Sequence, residues 1–310
     1  DQSTREKRKI MVYSVRQGLV AKHLLTTQEM AELEQLTALC NEREHLLMRL
    51  DYNLLAQSAP PTDDLFLFYQ DNQLAGYLLL DRYHSDIKEV SGLVHPDFRR
   101  LGIFRQLLTA ARAECLSRGI QRLLFTCETT SNSGRAFMQA LGAGREFAEH
   151  RMLLRHFQPR YQFDDRLLFR EALHDDVDEL ALILATDFGD SKEQARQHVL
   201  HAWARPNQRF YIATYGGEDV GCAEPVGTLR VEETPQEMAI YGFFVRPEYR
   251  GRGHGRQIIE EAILTIREHS SKPIMLEVDT NNLTALNLYH SLGFVSEHTY
   301  EYYGFTLDQH

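Results

Sequence analysis

A glycine- and arginine-rich stretch, Arg250-Gly-Arg-Gly-His-Gly255, carries the clearest chemistry in the sequence. It follows an apolar run closed by Pro247 and precedes residues 256–268, whose apolar positions recur at helical spacing. The glycines therefore lie where a strand becomes a helix. The first N–H groups of a helix are unpaired and carry partial positive charge, and glycines let an anion approach the backbone. The spacing indicates a phosphate-binding turn, although an exposed Arg/Gly turn without a ligand has the same composition.

A second motif follows the glycine-rich turn. Residues 282–294 read N-x-x-A-x-x-L-Y-x-x-x-G-F, and residues 250–255 read R-x-x-G-x-G. Together the two motifs resemble those of the GNAT superfamily of acyl-CoA-dependent N-acyltransferases, in which the first motif binds the CoA pyrophosphate. The resemblance covers most of residues 167–305 and, through an internal repeat, residues 11–155 more weakly.

The resemblance implies a function for each motif position. Strand residues 243–245 would offer backbone groups to the pantetheine arm and the thioester, and Asn282 would contact the pantetheine. Tyr289 would protonate the leaving thiolate as a general acid, which a phenol can do; a core aromatic is the alternative for this position. The implied CoA-binding residues are Phe243, Phe244, Val245, Arg250, Gly251, Arg252, Gly253, His254, Gly255, Arg256 and Asn282.

A general base is also expected, because an amine must be neutral to attack a thioester. Family members often carry Glu at the position of Ala239, which has no ionisable group. Glu237 lies two residues earlier, on the same strand face, and is the predicted base. Glu232 and Glu233, expected on the preceding turn, are further candidates. Each of these carboxylates is otherwise an ordinary surface group.

Composition limits the classes of function. The chain has 310 residues, 43% of them hydrophobic and 25% charged, which is long enough for two globular domains. A net charge of −10 argues against non-specific binding to nucleic acid and to anionic membranes. The four cysteines are scattered without a CxxC pair, and no histidine spacing predicts a metal site. The sequence contains no apolar run long enough to span a membrane and no signal-peptide core, and we predict a cytoplasmic protein without a metal.

The order of predicted elements repeats at an offset of 151 residues. Val94, Pro96, Arg99, Gly102, Arg105 and Gln106 match Val245, Pro247, Arg250, Gly253, Arg256 and Gln257. Leu141-Gly142 matches Leu292-Gly293 at the same offset, which indicates duplication. The predicted boundary between the copies is residues 156–165. The predicted elements of the first copy include a strand at residues 11–15, a helix begun by a capping box of Thr26 and Glu29, a helix at residues 42–56 and a closing strand at residues 147–155.

The first copy departs from the motifs. The offset puts Phe104 where Gly255 stands, Ser131 where Asn282 stands and Met138 where Tyr289 stands. Methionine cannot transfer a proton. The first copy is therefore expected to be structural or vestigial, and its CoA binding stays open.

We predict a mixed α/β (α+β) fold of two tandem GNAT-like domains, residues 8–156 and 165–306, each a mixed, mostly antiparallel sheet flanked by helices. The second domain would move acetyl from acetyl-CoA directly to a primary amine of a small molecule. The tandem arrangement is similar in architecture and length to that of mycothiol synthase. This similarity does not assign a substrate to the chain. Two alternatives remain: an acyl-CoA-binding or sensing module without turnover, and an acetyltransferase of protein N-termini or lysines. The negative net charge of the protein favours a cationic amine as the acceptor, as do Glu218 and Asp219 near the expected acceptor side.

Overall fold

The computed structural model describes residues 15–48, 50, 64–82, 86–159, 163–188, 191–216 and 223–307. The chain divides into two compact units. The N-terminal unit holds the chain up to Glu146 together with the residues from Glu301 onward, and the C-terminal unit holds Phe147–Tyr300. The division into domains 8–156 and 165–306 stays a prediction.

The first copy of the repeat contains six strands and three helices among its described residues. They are β1 (Gly18–Lys22), α1 (Thr27–Glu44), β2 (Leu65–Gln70), β3 (Gln73–Arg82), β4 (Ile87–Val94), α2 (Ile103–Ser117), β5 (Arg122–Glu128), α3 (Asn132–Leu141) and β6 (Gly144–Leu154).

The second copy follows the same order with one helix more in its described part. Its elements are β7 (Leu167–Glu171), α4 (Val177–Phe188), α5 (Lys192–Trp203), β8 (Gln208–Tyr215), β9 (Glu224–Glu233), β10 (Met238–Val245), α6 (His254–His269), β11 (Ile274–Asp279), α7 (Leu283–Leu292) and β12 (Phe294–Thr306).

Each unit has a mixed, mostly antiparallel sheet, which confirms the predicted fold class. In the N-terminal unit the order is β1-β2-β3-β4-β5, and β4 and β5 form the parallel pair. In the C-terminal unit the order is β6-β11-β10-β9-β8-β7, and β10 and β11 form the parallel pair. The parallel pair matters for function because each of its strands is followed by a helix whose start lies at the same edge of the sheet.

Helices cover both faces of each sheet. In the C-terminal unit, Ile258 and Ile263 of α6 pack with Ile240 and Leu276 of the sheet in one continuous core. On the opposite face, α4 and α5 pack against the β8 end of the sheet in a second core, which includes Ile212. In the N-terminal unit, α2 belongs to one core and α1 to another.

The closing strands differ from the sequence-based expectation. The predicted strand 147–155 exists as part of β6, but it pairs with β11 in the C-terminal unit, with Met275 opposite Leu153. The end of β12 belongs to the N-terminal unit, where Phe305 and Leu307 join the core. A sequence repeat shows that a closing strand exists, but it carries no signal for which sheet the strand completes.

Two expectations in the first copy need correction. The capping box of Thr26 and Glu29 is present at the start of α1, as predicted. The predicted helix 42–56 is wrong for the residues that the structure describes. The helix α1 ends at Glu44, and His45 takes a left-handed φ of 56°. Residues 46–48 are not helical. Residues 49 and 51–56 lie outside the described residues. The first strand is at Gly18–Lys22, and of the predicted strand 11–15 only Val15, which is not in a strand, is described.

Candidate active site

The glycine-rich turn lies between β10 and α6, as predicted. Gly251 and Gly253 have φ angles of 74° and 87°, in the left-handed region that side chains other than glycine rarely adopt. A Cβ added at either position would meet nothing within 4 Å. Glycine is therefore required by the backbone conformation and not by a lack of space. Gly253 is the N-cap of α6 and supplies no side-chain cap. The first-turn amides of α6 therefore fit an anionic group such as the CoA pyrophosphate.

The three arginines of the turn differ in what they contact. Arg250 donates from Nε to the carbonyl oxygen of Val245, 2.7 Å away. Arg256 donates to the hydroxyl oxygen of Ser291 on α7, 2.7 Å away, and so ties α6 to α7. Arg252 is exposed, and its guanidinium lies 5.8 Å from the centre of the Tyr249 ring. Of the three, Arg252 has the geometry of a side chain that adds charge for a phosphate.

Two residues of β10 lie outside both neighbouring ladders. β10 pairs with β11 only from Met238 to Ile240, and beyond this point the two strands separate. On the other side, the register with β9 shifts between Tyr241 and Phe244, so that Gly242 and Phe243 form a bulge. Gly242 has a φ of 57°. This gap in the pairing, called the β10 gap below, leaves backbone polar groups of the strand available to a ligand.

Tyr289 on α7 lies beside the β10 gap. Its ring centre is 6.4 Å from that of Phe243 and 5.9 Å from that of Phe294, and the side chain is buried. Burial raises the pKa of Tyr289 above the ordinary value for tyrosine. The phenol therefore stays protonated at neutral pH, which a proton donor needs.

The predicted base Glu237 is 6% exposed and forms an ion pair with Arg151 of β6, which is 5% exposed. Its backbone N–H also donates to Thr234 Oγ1 at 3.1 Å. Arg151 also pairs with Glu297 at 3.2 Å, so Glu237 belongs to a cluster of charged side chains. Catalysis by Glu237 stays a prediction, and its contacts link the residue before β10 to β6 across β11.

Other predicted site residues have structural contacts. Asn282 is the N-cap of α7, and its Oδ1 accepts from the N–H of Ala285 at 3.1 Å. The His254 ring is buried beside Tyr215, with ring centres 4.9 Å apart, and desolvation lowers the pKa of His254. Glu232 and Glu233 lie at the end of β9, not on a turn. Glu218 and Asp219 lie outside the described residues.

The N-terminal unit keeps the shape of the turn with only one of the three glycines. Arg100 and Gly102 have φ angles of 66° and 78°, as Gly251 and Gly253 do at the matching positions. The ladder between β3 and β4 runs without a register shift, so β4 lacks a gap of the β10 kind. Met138 lies in the core at the position of Tyr289.

A cavity of about 550 Å³ lies at this place in the N-terminal unit. It is bounded by β4, β5 and the starts of α2 and α3, and its lining is mostly apolar. Phe104 and Phe137 line it with their rings edge to face, 4.9 Å apart. The splay between the parallel strands is therefore present in this unit too, although the proton donor is not.

Comparison with known protein families decides the identity of the fold. The model of the acetyltransferase (GNAT) family matches the chain twice, over residues 28–143 and 177–294. The chain belongs to the GNAT family. As a tandem GNAT protein it is an acyltransferase, and the two matches reproduce the repeat seen in the sequence.

Curated relatives match this GNAT protein over most of the chain or over a part of it. It is 27% identical over 282 residues to a mycothiol acetyltransferase of Acidothermus cellulolyticus, covering 81% of each chain. A mycothiol acetyltransferase of Thermomonospora curvata is 30% identical over 254 residues, covering 74% of this chain and 77% of the relative. The N-alpha-acetyltransferase RimI of Mycobacterium tuberculosis is 38% identical over 92 residues, which cover 29% of this chain and 54% of that protein.

Solved structures share the fold over nearly the whole chain. A GCN5-related N-acetyltransferase from Sphaerobacter thermophilus superposes with a TM-score of 0.75 at 18% identity, covering 93% of this chain and 96% of that one. A tandem GNAT protein from the clavulanic acid biosynthesis pathway has a TM-score of 0.67 at 18% identity, with 94% and 99% covered. Within the described residues, no helix has the length and apolar character to cross a membrane, and His, Cys, Asp and Glu form no group of three that could hold a metal.

Proposed function

We propose that the C-terminal unit moves acetyl from acetyl-CoA directly to a primary amine of a small molecule. The observation that carries the proposal is the β10 gap at Gly242–Phe243. It has the glycine-rich turn at one end and Tyr289 beside it, so anion binding, exposed backbone amides and a proton donor meet in one place.

The acyl donor would bind along β10. Its pyrophosphate would lie at the first-turn amides of α6, and Arg252 would add charge. Its pantetheine arm would pair with the free backbone of Gly242 and Phe243, as a short strand adds to a sheet edge. A backbone N–H from the gap would donate to the thioester oxygen as negative charge develops there.

Tyr289 would complete the transfer. When the amine nitrogen bonds to the thioester carbon, the C–S bond breaks and the sulfur leaves as a thiolate, which takes the proton of the phenol. No enzyme nucleophile is needed for this direct transfer. The described cysteines, Cys40, Cys115 and Cys127, are buried in the N-terminal unit, and burial raises the pKa of Cys127 to about 11, so the thiol is a poor nucleophile.

The N-terminal unit would be structural or vestigial. It combines a methionine at the position of Tyr289 with a β4 ladder that has no register shift. Its cavity would still have room for a ligand, but it would lack both the free strand amides and the acid on which the reaction depends.

The proposed function is tested by a panel of primary amines with acetyl-CoA, with free CoA thiol as the readout. The panel contains polyamines, amino sugars, amino acids and the amine precursor of mycothiol, because relatives carry the name mycothiol acetyltransferase. We expect amine-dependent CoA release for at least one small amine. CoA release that no amine increases, from a protein that binds acetyl-CoA, favours the binding module without turnover.

A second candidate is acetylation of protein N-termini or lysines. The 38% identity to RimI over 92 residues supports it. Peptides with a free N-terminus or a single lysine therefore belong in the same panel. Turnover of peptides at a kcat/KM above that of every small amine would replace the small-molecule proposal.

A further inference from the structure

The two faces of the C-terminal sheet offer different access to the β10 gap. On one face, Ile240 of β10 and Leu276 of β11 pack with α6 and α7 in a closed apolar core. Successive side chains of a strand point to opposite faces, so Ala239 and Tyr241 lie on the other face. Tyr289 belongs to the first face, because α7 carries it into that core. An acceptor amine must therefore approach from the face of Ala239 and Tyr241.

A row of paired residues crosses this second face. Glu232 of β9 lies directly opposite Ala239 of β10, and on its other side it lies opposite Gln208 of β8. Residues directly opposite in an antiparallel pair have Cβ atoms about 5 Å apart. Ala239 has only a methyl group, so Glu232 supplies the ionisable group of this cross-strand pair. The half-buried Glu232 lies opposite Ala239, three residues before the gap begins at Gly242.

Side-chain amides orient this carboxylate. Gln208 donates from Nε2 to Glu232 Oε2 at 2.8 Å, and Asn207 donates from Nδ2 to Glu232 Oε1 at 3.4 Å. An amide donor therefore fixes the direction of the carboxylate group.

The side-chain oxygens of the same two amides are further polar atoms beside Glu232. Asn207 Oδ1 and Gln208 Oε1 are buried, and neither accepts a hydrogen bond from any residue in the part of the chain that the structure describes. Gln208 is 7% exposed, so its oxygen is shielded from bulk water. A buried polar atom without a partner costs free energy, on the order of 1–3 kcal/mol. Two such oxygens next to a carboxylate match an ammonium group, which brings one positive charge and three N–H donors.

We propose that Glu232, Asn207 and Gln208 form the subsite that binds the ammonium group of the acceptor, and that Glu232 takes its proton. The proposal rests on the acetyl transfer proposed above. Glu232 accepts one proton from the ammonium group and leaves a neutral amine. The amine nitrogen bonds to the thioester carbon, loses a second proton to solvent and displaces the thiolate, which takes a proton from Tyr289. Tyr289 regains a proton from solvent and Glu232 releases its proton to solvent, so one ammonium and one acetyl-CoA give one amide, one CoA thiol and one released proton.

The test compares carboxylate variants of the full chain, with the best small amine of the panel as the acceptor. For Glu232→Gln we expect a loss of kcat/KM for the amine by a factor of about 10² to 10⁴, the usual contribution of a general base. The KM for acetyl-CoA is expected to change less than about twofold, because Glu232 lies on the face away from α6. Glu268→Gln, which changes an exposed carboxylate on the last turn of α6, is the charge-matched control and is expected to keep the wild-type rate.

A rescue variant separates catalysis from a structural contribution. In Glu232→Gln/Ala239→Glu the carboxylate is moved from β9 to the directly opposite position on β10. We expect this double variant to regain at least about tenfold of the lost kcat/KM, because the carboxylate returns to the same space. Gln208→Met, which removes the amide oxygen at similar volume, is expected to raise the KM for the amine more than it lowers kcat.

Two results would overturn the inference. One is a Glu232→Gln enzyme with more than a third of the wild-type kcat/KM for the amine while the wild type is active, which leaves the proposed function standing. The other is a loss in Glu232→Gln that the double variant does not restore, although both variants fold with the wild-type melting temperature. A wild type that transfers acetyl to no amine contradicts the proposed function and this inference together.

Discussion

In the N-terminal unit, the ring of Phe104 on α2 lies against Gly92 on β4, where an added Cβ would come within 2.9 Å of the ring. The C-terminal unit has the reverse arrangement: the ring of Phe243 on β10 lies against Gly255 on α6, 3.5 Å from an added Cβ. One aromatic ring thus fills the corresponding space in each copy, from opposite walls. In the C-terminal unit the small residue is on the turn, where backbone amides face the ligand.

The two glycine N-caps form a matched pair for assigning the active unit. Gly253 and Gly102 both have a left-handed φ and open space at Cβ, so Gly253→Glu and Gly102→Glu carry a similar backbone cost of about 1–2 kcal/mol. We expect Gly253→Glu to abolish acetyl-CoA binding and turnover, and Gly102→Glu to keep turnover within about twofold once folding is accounted for. Calorimetric titration with acetyl-CoA and melting curves measure both effects. The reverse pattern would move the active site to the N-terminal unit.

The arginines of the turn are expected to separate binding from stability. Arg252→Ala should weaken acetyl-CoA binding about tenfold, with a steep dependence on salt, and leave the melting temperature unchanged, because the side chain is exposed. Arg256→Ala should lower the free energy of unfolding by about 3–5 kcal/mol, because it leaves the buried carboxylate of Glu260 without this counter-charge and removes hydrogen bonds to Ser291. Titrations at two salt concentrations and urea unfolding of both variants provide the measurement. An unchanged affinity in Arg252→Ala would contradict the proposed contact.

Tyr289→Phe removes one hydroxyl group and keeps the ring packing against Phe243 and Phe294. We expect kcat to fall by a factor of about 10² or more, with the affinity for acetyl-CoA nearly intact. Tyr303→Phe, whose hydroxyl donates to Glu301 in the N-terminal unit, is the control and should keep the wild-type rate. CoA release and calorimetric titration give the two quantities. A fall in affinity as large as the fall in kcat would mean that Tyr289 is a packing residue.

The alkaline side of the pH profile depends on Tyr289. Burial raises its pKa, so the protonated phenol persists beyond the ordinary tyrosine value of about 10. Turnover of a saturating amine is therefore expected to stay level as pH rises from 8 to about 10. The measurement is kcat over this range with saturating acetyl-CoA, on protein shown to be folded at each pH. A decline with a midpoint near pH 8 would identify a different proton donor.

Glu237 and Arg151 should behave as a structural pair. Glu237→Gln removes one of the two carboxylates that contact the buried guanidinium of Arg151, which keeps its pair with Glu297 at 3.2 Å. We therefore expect a loss of about 1.5–3 kcal/mol in the free energy of unfolding, the range for a hydrogen bond to a charged group. Glu233→Gln breaks the exposed pair with Lys272 and should cost no more than about 1 kcal/mol. Urea unfolding measures both. If Glu237→Gln instead kept its stability and lost turnover, Glu237 would be the base after all.

The fold and the site differ in how far the sequence predicts them. The 3.6-residue periodicity of residues 256–268 and the cap signal at Thr26 are local, and the helices appear where these signals lie. The destination of β6 and the end of β12 depends on pairing between distant residues, for which the repeat gives no signal. Likewise, the contact of Glu237 with Arg151 joins positions 86 residues apart, and a strand-face argument within β10 does not reveal it.

The bulge in β10 is the feature that the constant repeat offset of 151 residues does not predict. At a constant offset of 151, Val90 matches Tyr241, and the pairings contradict this. Val90 lies opposite Phe125, and Ile240 lies opposite Leu276, so residues before the bulge match at an offset of 150. One residue in the sequence does indicate the change of offset, because the apolar Val90 matches Ile240 better than Tyr241. A single matched position is too little to predict a bulge.

The extra residue of the bulge also changes which positions of the two copies are equivalent. Counted by its strand pairing, the residue equivalent to Ala239 is Glu89, which lies opposite Leu124 as Ala239 lies opposite Met275, and which accepts a hydrogen bond from Thr126. The first copy thus has a carboxylate on its fourth strand and no tyrosine on α3, whereas the second has the tyrosine on α7 and no carboxylate at Ala239. The two copies hold complementary groups, so the copy with the intact motifs is not the one with the carboxylate at this strand position.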